Sequence, residues 1–232
     1  MQEEPGIHSR DRHILVVNPN TTASMTEKIG EAARAAAGSG IRITAINPDE
    51  GPAAIQGPAD GAAALPGLFA LIEAQMTSND PADAIVIACF DDTGLWELKR
   101  RWPVPVIGIG EAAYHVAALA SQRFSVVTTL SVSVPVLEQN LTQIGLAPRC
   151  AKVRASEVPV LDLEDPASDA RAKVEAEIER AIAEDEIGAM VLGCAGMADL
   201  AEDLSRKFSM RVIDGVSAAV RLAELLVGVR PG

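Results

Sequence analysis

The sequence is short of positive charge, of cysteine and histidine, and of long apolar runs, and each shortage excludes something. Its 20 Lys and Arg stand against 32 Asp and Glu, a formal net charge of -12. It therefore lacks the positive face that nucleic acid or an anionic membrane surface requires, and neither is expected as a partner. No stretch reaches the ~18 uninterrupted apolar residues of a membrane span. Residues 1–6 carry two acids, Glu3 and Glu4, where a secretory leader needs an apolar run. The three cysteines are odd in number and far apart. They suit free thiols in a reducing cytoplasm better than a disulfide framework or a zinc site. The histidines, His8, His13 and His115, form no cluster suited to a metal. Gly108-Ile109-Gly110 lacks the third glycine and the following acid of a dinucleotide fingerprint. Neither a histidine-built metal site nor a nicotinamide dinucleotide is expected.

What is present is ordinary globular material, 48% hydrophobic and 22% charged over 232 residues, enough for one large domain or two compact halves. Residues 1–12 read as a polar tail. An apolar run at 14–17 reads as a buried parallel strand. The turn Asn18-Pro19-Asn20-Thr21-Thr22 follows, then Met25, Ile29, Ala32 and Ala36 at helical spacing until Gly38. Strands are predicted over 41–46, 84–89 and 104–109, and helices over 68–76 and 93–101. The Gly/Pro-rich stretch 47–67 reads as a long loop, often a functional feature. A comparable series then repeats. Helices are predicted over 111–121, 134–144, 199–208 and 216–227, and strands over 124–128, 151–153, 189–193 and 211–213, with 158–161 extended. Asp165-Pro166 reads as the cap of a helix whose face carries Val174, Ile178 and Ile182. This alternation predicts an α/β protein with parallel sheets covered on both faces.

Ile85-Val86-Ile87-Ala88-Cys89 in the first half matches Met190-Val191-Leu192-Gly193-Cys194 in the second. Ligands of open parallel sheets bind beyond the carboxyl ends of the strands, so two facing halves would bring both thiols to one cleft. Inverting a carbon centre without a cofactor requires a base on one face and an acid on the other, and a thiolate with a neutral thiol supplies both. A helix N-terminus after each cysteine is expected to lower its pKa. Asp91 and Asp92 read as caps for the helix expected at Thr93, with charge that opposes such lowering. An unpaired cysteine at a strand end is commonly a small buried residue, and only the matched positions argue otherwise. Cys150 lacks that setting and receives no catalytic role. Phe69, Trp96 and Trp102 read as core or subunit-contact residues, and His115 as a packed or surface histidine.

From Ile14 to about Val227 the chain resembles the hydantoin and allantoin racemases of the aspartate/glutamate racemase superfamily. The resemblance rests on Asn18-Pro19-Asn20-Thr21-Thr22 with Ser24-Met25-Thr26, on Ala88-Cys89-Phe90-Asp91-Asp92 and on Gly108-Ile109-Gly110-Glu111-Ala112-Ala113. It rests equally on Phe124-Ser125-Val126-Val127-Thr128-Thr129 and Leu192-Gly193-Cys194-Ala195-Gly196-Met197. The resemblance implies two pseudo-symmetric, Rossmann-like (flavodoxin-like) half-domains with the active site in the cleft between them. The expected division is 13–112 with 215–232 against 113–214. It also implies catalysis by Cys89 and Cys194, no cofactor, and a homo-oligomer. Substrate contacts are implied at Asn18, Thr22, Phe90, Asp91, Thr128, Thr129, Gly193 and Ala195, where backbone amides would receive the developing oxyanion. For Thr128 and Thr129 a strand end with a helix cap is an equal alternative, and Asn18 has the alternative of holding its turn. By the same resemblance, Gln56 stands where an acid is expected in many relatives, and Thr93 where proline is usual after the paired aspartates; either departure would alter substrate preference.

No Lys or Arg lies in the five blocks, which favours a neutral small-molecule substrate such as a 5-substituted hydantoin, allantoin included, over a zwitterionic amino acid. The ring carbonyl acidifies the proton to be removed. A maleate isomerase or arylmalonate decarboxylase of the same superfamily, or a binding protein without activity, stays open at this point.

Overall fold

The computed structural model describes residues 11–229. The first half runs β1 (Arg12–Val17), α1 (Ala23–Ala36), β2 (Ile41–Ile46), α2 (Pro58–Met76), β3 (Ala84–Ile87), α3 (Leu95–Arg101) and β4 (Val106–Gly108). Helix α4 (Ile109–Ala120) leads to β5 (Phe124–Thr128), α5 (Val134–Gln143), β6 (Cys150–Ala155), α6 (Ala170–Glu184), β7 (Ala189–Gly193), α7 (Ala201–Phe208), β8 (Arg211–Asp214) and α8 (Gly215–Gly228). The strands form two four-stranded sheets, ordered β2-β1-β3-β4 and β6-β5-β7-β8, and every pairing is parallel. The second sheet repeats the topology of the first, as the repeated sequence pattern predicts.

Central position explains the composition of the inner strands. β3, β5 and β7 are buried throughout, and β1 is buried after Arg12, because helices cover both faces and leave no side to water. Within each sheet the first and third strands are neighbours, and the chain departs from them in opposite directions. That switch point opens a crevice at their carboxyl ends. Asn18 and Cys89 follow β1 and β3; Thr129 and Cys194 follow β5 and β7.

The two sheets share a core. Val16 and Val86 from one sheet and Val126 and Val191 from the other belong to a single apolar cluster with Ala113 and Ala117 of α4 and Ala219 and Ala223 of α8. Small side chains let α4 and α8 meet closely. At Gly215 a Cβ would fall 2.5 Å from the Ile109 carbonyl oxygen, so no other residue fits the crossing.

Several expectations are corrected. The first strand opens at Arg12, inside the stretch read as tail; residues 1–10, including His8, lie outside the described residues. Helix α2 begins ten residues earlier than predicted. Pro58 occupies its first turn, where the missing N–H costs nothing. Gly67 is glycine for a packing reason, since a Cβ there would fall 2.6 Å from the Glu50 carbonyl. The segment expected to be extended after Val158 instead forms a 3-10 turn, Val160–Glu164. Helix α6 starts after Asp169 rather than at Asp165-Pro166. Val174 and Ile178 are buried, but Ile182 is exposed. Phe69 and Trp102 pack against the cluster between β3 and α2. Among the described residues no helix is long and apolar enough to cross a membrane.

Candidate active site

The crevices of the two sheets open into one small cavity, and Cys89 and Cys194 both line it. Nine of the ten residues singled out from the sequence border it: both thiols, Asn18, Phe90, Asp91, Thr128, Thr129, Gly193 and Ala195. Thr22 does not. It stands at the start of α1, and its hydroxyl donates to the Ala53 carbonyl at 2.6 Å, which turns it toward the 47–57 loop and away from the cavity.

The backbone around Cys89 is held by Asp92. Its carboxylate accepts the Gly110 N–H at 3.0 Å and the Glu111 N–H at 2.7 Å. Asp92 therefore caps α4 from another loop, and the expectation that the paired aspartates cap α3 is corrected; Gly94 occupies that position. A Cβ at Gly108 would strike the Asp92 carboxylate and one at Gly110 would fall 2.5 Å from the Phe90 carbonyl. The two glycines of the Gly108-Ile109-Gly110 block thus exist so that the Cys89 loop can lie on the helix end. Burial shifts the Asp92 pKa well upward, and the two amide hydrogen bonds offset this only in part. On the other side, Gly193 lets β7 approach β5: a Cβ would fall 2.9 Å from Cα of Thr128. The Thr128 hydroxyl donates to the Gly193 carbonyl at 2.9 Å, so it is committed to the strand pair beside Cys194.

The two thiols have matched surroundings. The amide of the second residue along, Asp91 for Cys89 and Gly196 for Cys194, hydrogen-bonds each sulfur. Neither thiol has a lowered pKa. Burial dominates and raises both, Cys194 to about 12 and Cys89 further, and the Asp91 charge adds to both shifts. The expected helix-dipole assistance is weak here for structural reasons. Cys194 precedes a 3-10 turn, Ala195–Leu200, and α3 begins six residues beyond Cys89, beyond the short reach of a helix terminus. Thr93 supplies what assistance Cys89 has from a side chain, with its hydroxyl 3.4 Å from Sγ. Cys150 opens β6 and borders a separate depression.

Asp91 joins the halves. Its Oδ2 accepts from the Ser133 hydroxyl at 3.4 Å, and its carbonyl accepts from Asn140 Nδ2 at 3.0 Å. Burial raises its carboxyl to about 6 against the Ser133 hydrogen bond. Asn18 spends its amide within its own turn, donating to Asn20 Oδ1 at 2.8 Å and Thr26 Oγ1 at 3.0 Å. Thr129 borders the cavity, and its carbonyl accepts the Val158 N–H at 3.2 Å. Sequence reasoning missed Asn20, Met25, Ile55, Ala88, Ser133 and Val160, all on the cavity wall. Met25 at its helical spacing and Asn20 in its turn were visible as motif residues; nothing in the sequence pointed to Ile55, Ser133 or Val160, which arrive from distant loops. The wall contains no Lys or Arg. No group of three His, Cys, Asp or Glu among the described residues could hold a metal ion. His115 is exposed, its Nδ1 2.7 Å from the Glu111 carbonyl.

A protein-family model described as Asp/Glu/hydantoin racemase matches residues 14–223. A hydantoin racemase of Rhizobium meliloti is 46% identical over 216 residues, covering 93% of this chain and 89% of the relative. Among solved structures, an allantoin racemase from Klebsiella pneumoniae superposes with a TM-score of 0.90 at 45% identity, covering 94% of this chain and 88% of that one. An allantoin racemase from Pseudomonas fluorescens does so with a TM-score of 0.88 at 40% identity, covering 93% and 91%. The chain therefore belongs to the Asp/Glu/hydantoin racemase family and is an isomerase of the racemase type.

Proposed function

We propose that the protein racemises 5-substituted hydantoins, allantoin among them, with Cys89 and Cys194 as the two acid–base groups and no cofactor. The observation that carries this is the pair of thiols at equivalent strand ends of the two sheets, lining one cavity. One thiolate takes the proton from the substituted ring carbon, and the opposite thiol returns a proton to the other face; with the other enantiomer the roles exchange. The raised pKa of each thiol suits this work. A neutral thiol is the donor, and a thiolate formed where its charge is poorly solvated is a stronger base than one in water. The amides of Asp91 and Gly196 stabilise whichever sulfur carries the charge.

The wall favours a neutral ring. Without Lys or Arg it offers nothing to pair with a carboxylate, and Asp91, above its pKa of about 6, repels one. The same carboxylate accepts ring N–H groups. Met25, Ile55 and Val160 form an apolar side for the ring substituent, and Asn18, Phe90, Thr128, Thr129, Gly193 and Ala195 border the ring. We further assign the protein to the reducing cytoplasm and to a homo-oligomer, with the halves divided at 13–112 plus 215–232 and 113–214. The test is polarimetric: single enantiomers of allantoin, benzyl-hydantoin and isopropyl-hydantoin in deuterium oxide with a reductant. Loss of rotation with deuterium incorporation is expected; retained rotation with all three would overturn the proposal.

A further inference from the structure

Two loops, one following β2 and one following β6, each contribute a residue to the cavity wall, and one side chain fastens them. Ile55, in the loop before α2, and Val160, at the start of the 3-10 turn Val160–Glu164, are both buried and both border the cavity beside the thiols. Gln56 Oε1 accepts the Val160 N–H at 2.9 Å, across 104 residues of sequence. The amide at the head of such a turn has no partner within the turn, where the internal hydrogen bonds run from Asp162 N–H to the Pro159 carbonyl and from Asp165 N–H to the Asp162 carbonyl. A buried amide needs an acceptor, and Gln56 is the one it has.

Two further contacts belong to the same closure. Gly57, with a φ of 103°, abuts Val132 of the opposite half so closely that a Cβ would lie 3.0 Å from Val132 Cγ2. At the far end of the turn, Lys28 Nζ of α1 lies 3.0 Å from Glu164 Oε1 and 3.4 Å from the Leu163 carbonyl. That ion pair is partly exposed, so it contributes little, and it holds residues that do not border the cavity. The Gln56 bond acts at Val160 itself. Gln56 does not line the cavity, so it meets substrate only through the residue it holds.

We propose that Gln56 is a positioning residue: by accepting the Val160 amide it holds the 3-10 turn over the two thiols and thereby fixes Ile55 and Val160 as the wall that meets the substrate's ring substituent. The statement about the substituent rests on the racemase proposal; the statement about shielding does not. An acid at this position would serve equally as acceptor, so Gln56→Glu keeps the closure, whereas Gln56→Ala leaves the amide without a partner.

The experiment measures iodoacetamide alkylation of each cysteine by peptide mass spectrometry in the wild-type protein, Gln56→Ala and Gln56→Glu, alongside racemisation of benzyl- and isopropyl-hydantoin. In Gln56→Ala, Cys89 and Cys194 are expected to react about fivefold faster, the population change that loss of one such hydrogen bond produces. Cys150, remote from the closure, keeps its rate, and Gln56→Glu behaves as wild type. KM is expected to rise about fivefold with kcat changed less. Unchanged alkylation at Cys89 and Cys194, an equal rise at all three cysteines, or failure of Gln56→Glu to restore protection would overturn the role. If the wild-type protein racemises neither hydantoin, the substrate proposal fails while the alkylation result still decides the closure.

Discussion

Replacing Thr93 by Val removes one hydroxyl and little volume, and the contact it removes points at one catalytic candidate only. The hydroxyl lies 3.4 Å from Cys89 Sγ. A hydrogen bond to a charged acceptor contributes about 1.5–3 kcal/mol, and a long contact to a soft sulfur falls at the lower end. A loss of about 1.5 kcal/mol from the thiolate raises the Cys89 pKa by about one unit. Since that pKa already lies far above neutrality through burial and the Asp91 charge, the thiolate fraction at any fixed pH near 8 falls about tenfold. The remaining thiolate is more reactive, with a Brønsted slope of about 0.4–0.5, so alkylation of Cys89 should slow by only about three- to fourfold. The assay compares iodoacetamide labelling rates at pH 8 in the wild type and Thr93→Val, with Cys194 and Cys150 as internal references. Deuterium exchange from the enantiomer that Cys89 deprotonates should slow similarly. A Cys89 rate equal to or above wild type, or an equal fall at all three cysteines, would refute the reasoning.

Other consequences concern stability. Arg154, with a side chain only 5% exposed, bonds Asp185, Glu177 and Glu184, so Arg154→Met strands a buried carboxylate and should cost about 3–5 kcal/mol at pH 7, read from denaturant melts. Burial opposes ionisation of Asp185, but hydrogen bonds from Arg154 and Ser125 outweigh it and hold its pKa below the usual value. Its contribution is therefore complete above about pH 4 and is lost as pH falls through the lower folded value. In Arg154→Met the sign reverses, because burial, the largest influence on the Asp185 pKa, is then opposed chiefly by the Ser125 hydrogen bond, and mild acid should recover part of the lost stability; a uniform deficit at pH 7 and pH 4.5 would contradict this. Asp92→Ala removes the acceptor for two amides at the start of α4 and should lower stability by about 1–2 kcal/mol. Asp92→Asn keeps one acceptor and tolerates the φ of 53° found there, and should lose less; equal losses would count against the capping role.

The central strands were the most legible part of the sequence. An unbroken apolar run placed 189–193 where β7 lies, and Phe124, Val126 and Val127 marked 124–128 as β5, whose buried Ser125 and Thr128 hydroxyls each have a hydrogen-bond partner. The matched strand ends then located both cysteines without any knowledge of side-chain geometry. Composition misled at α2, where Gly57, Pro58, Gly61, Pro66 and Gly67 resemble a loop, although Gly57 and Pro58 begin the helix and Gly67 packs against the Glu50 carbonyl. Asp92 was legible as a cap and assigned to the wrong helix, since only the fold brings the α4 terminus to it. Ile55, Ser133 and Val160 border the site through tertiary contact alone, and no local pattern marks such residues. Thr22 shows the converse: a motif residue whose hydroxyl is used by a neighbouring loop.

The two-thiol account is tested most directly by proton exchange in deuterium oxide. Single enantiomers of a hydantoin that the wild type racemises would be incubated with Cys89→Ser, Cys194→Ser and Cys150→Ser, following optical rotation and deuterium incorporation together. The account predicts that the first two variants abolish racemisation, that any residual exchange in each is confined to one enantiomer and opposite between them, and that Cys150→Ser racemises normally. A fully active Cys194→Ser or Cys89→Ser protein would contradict it.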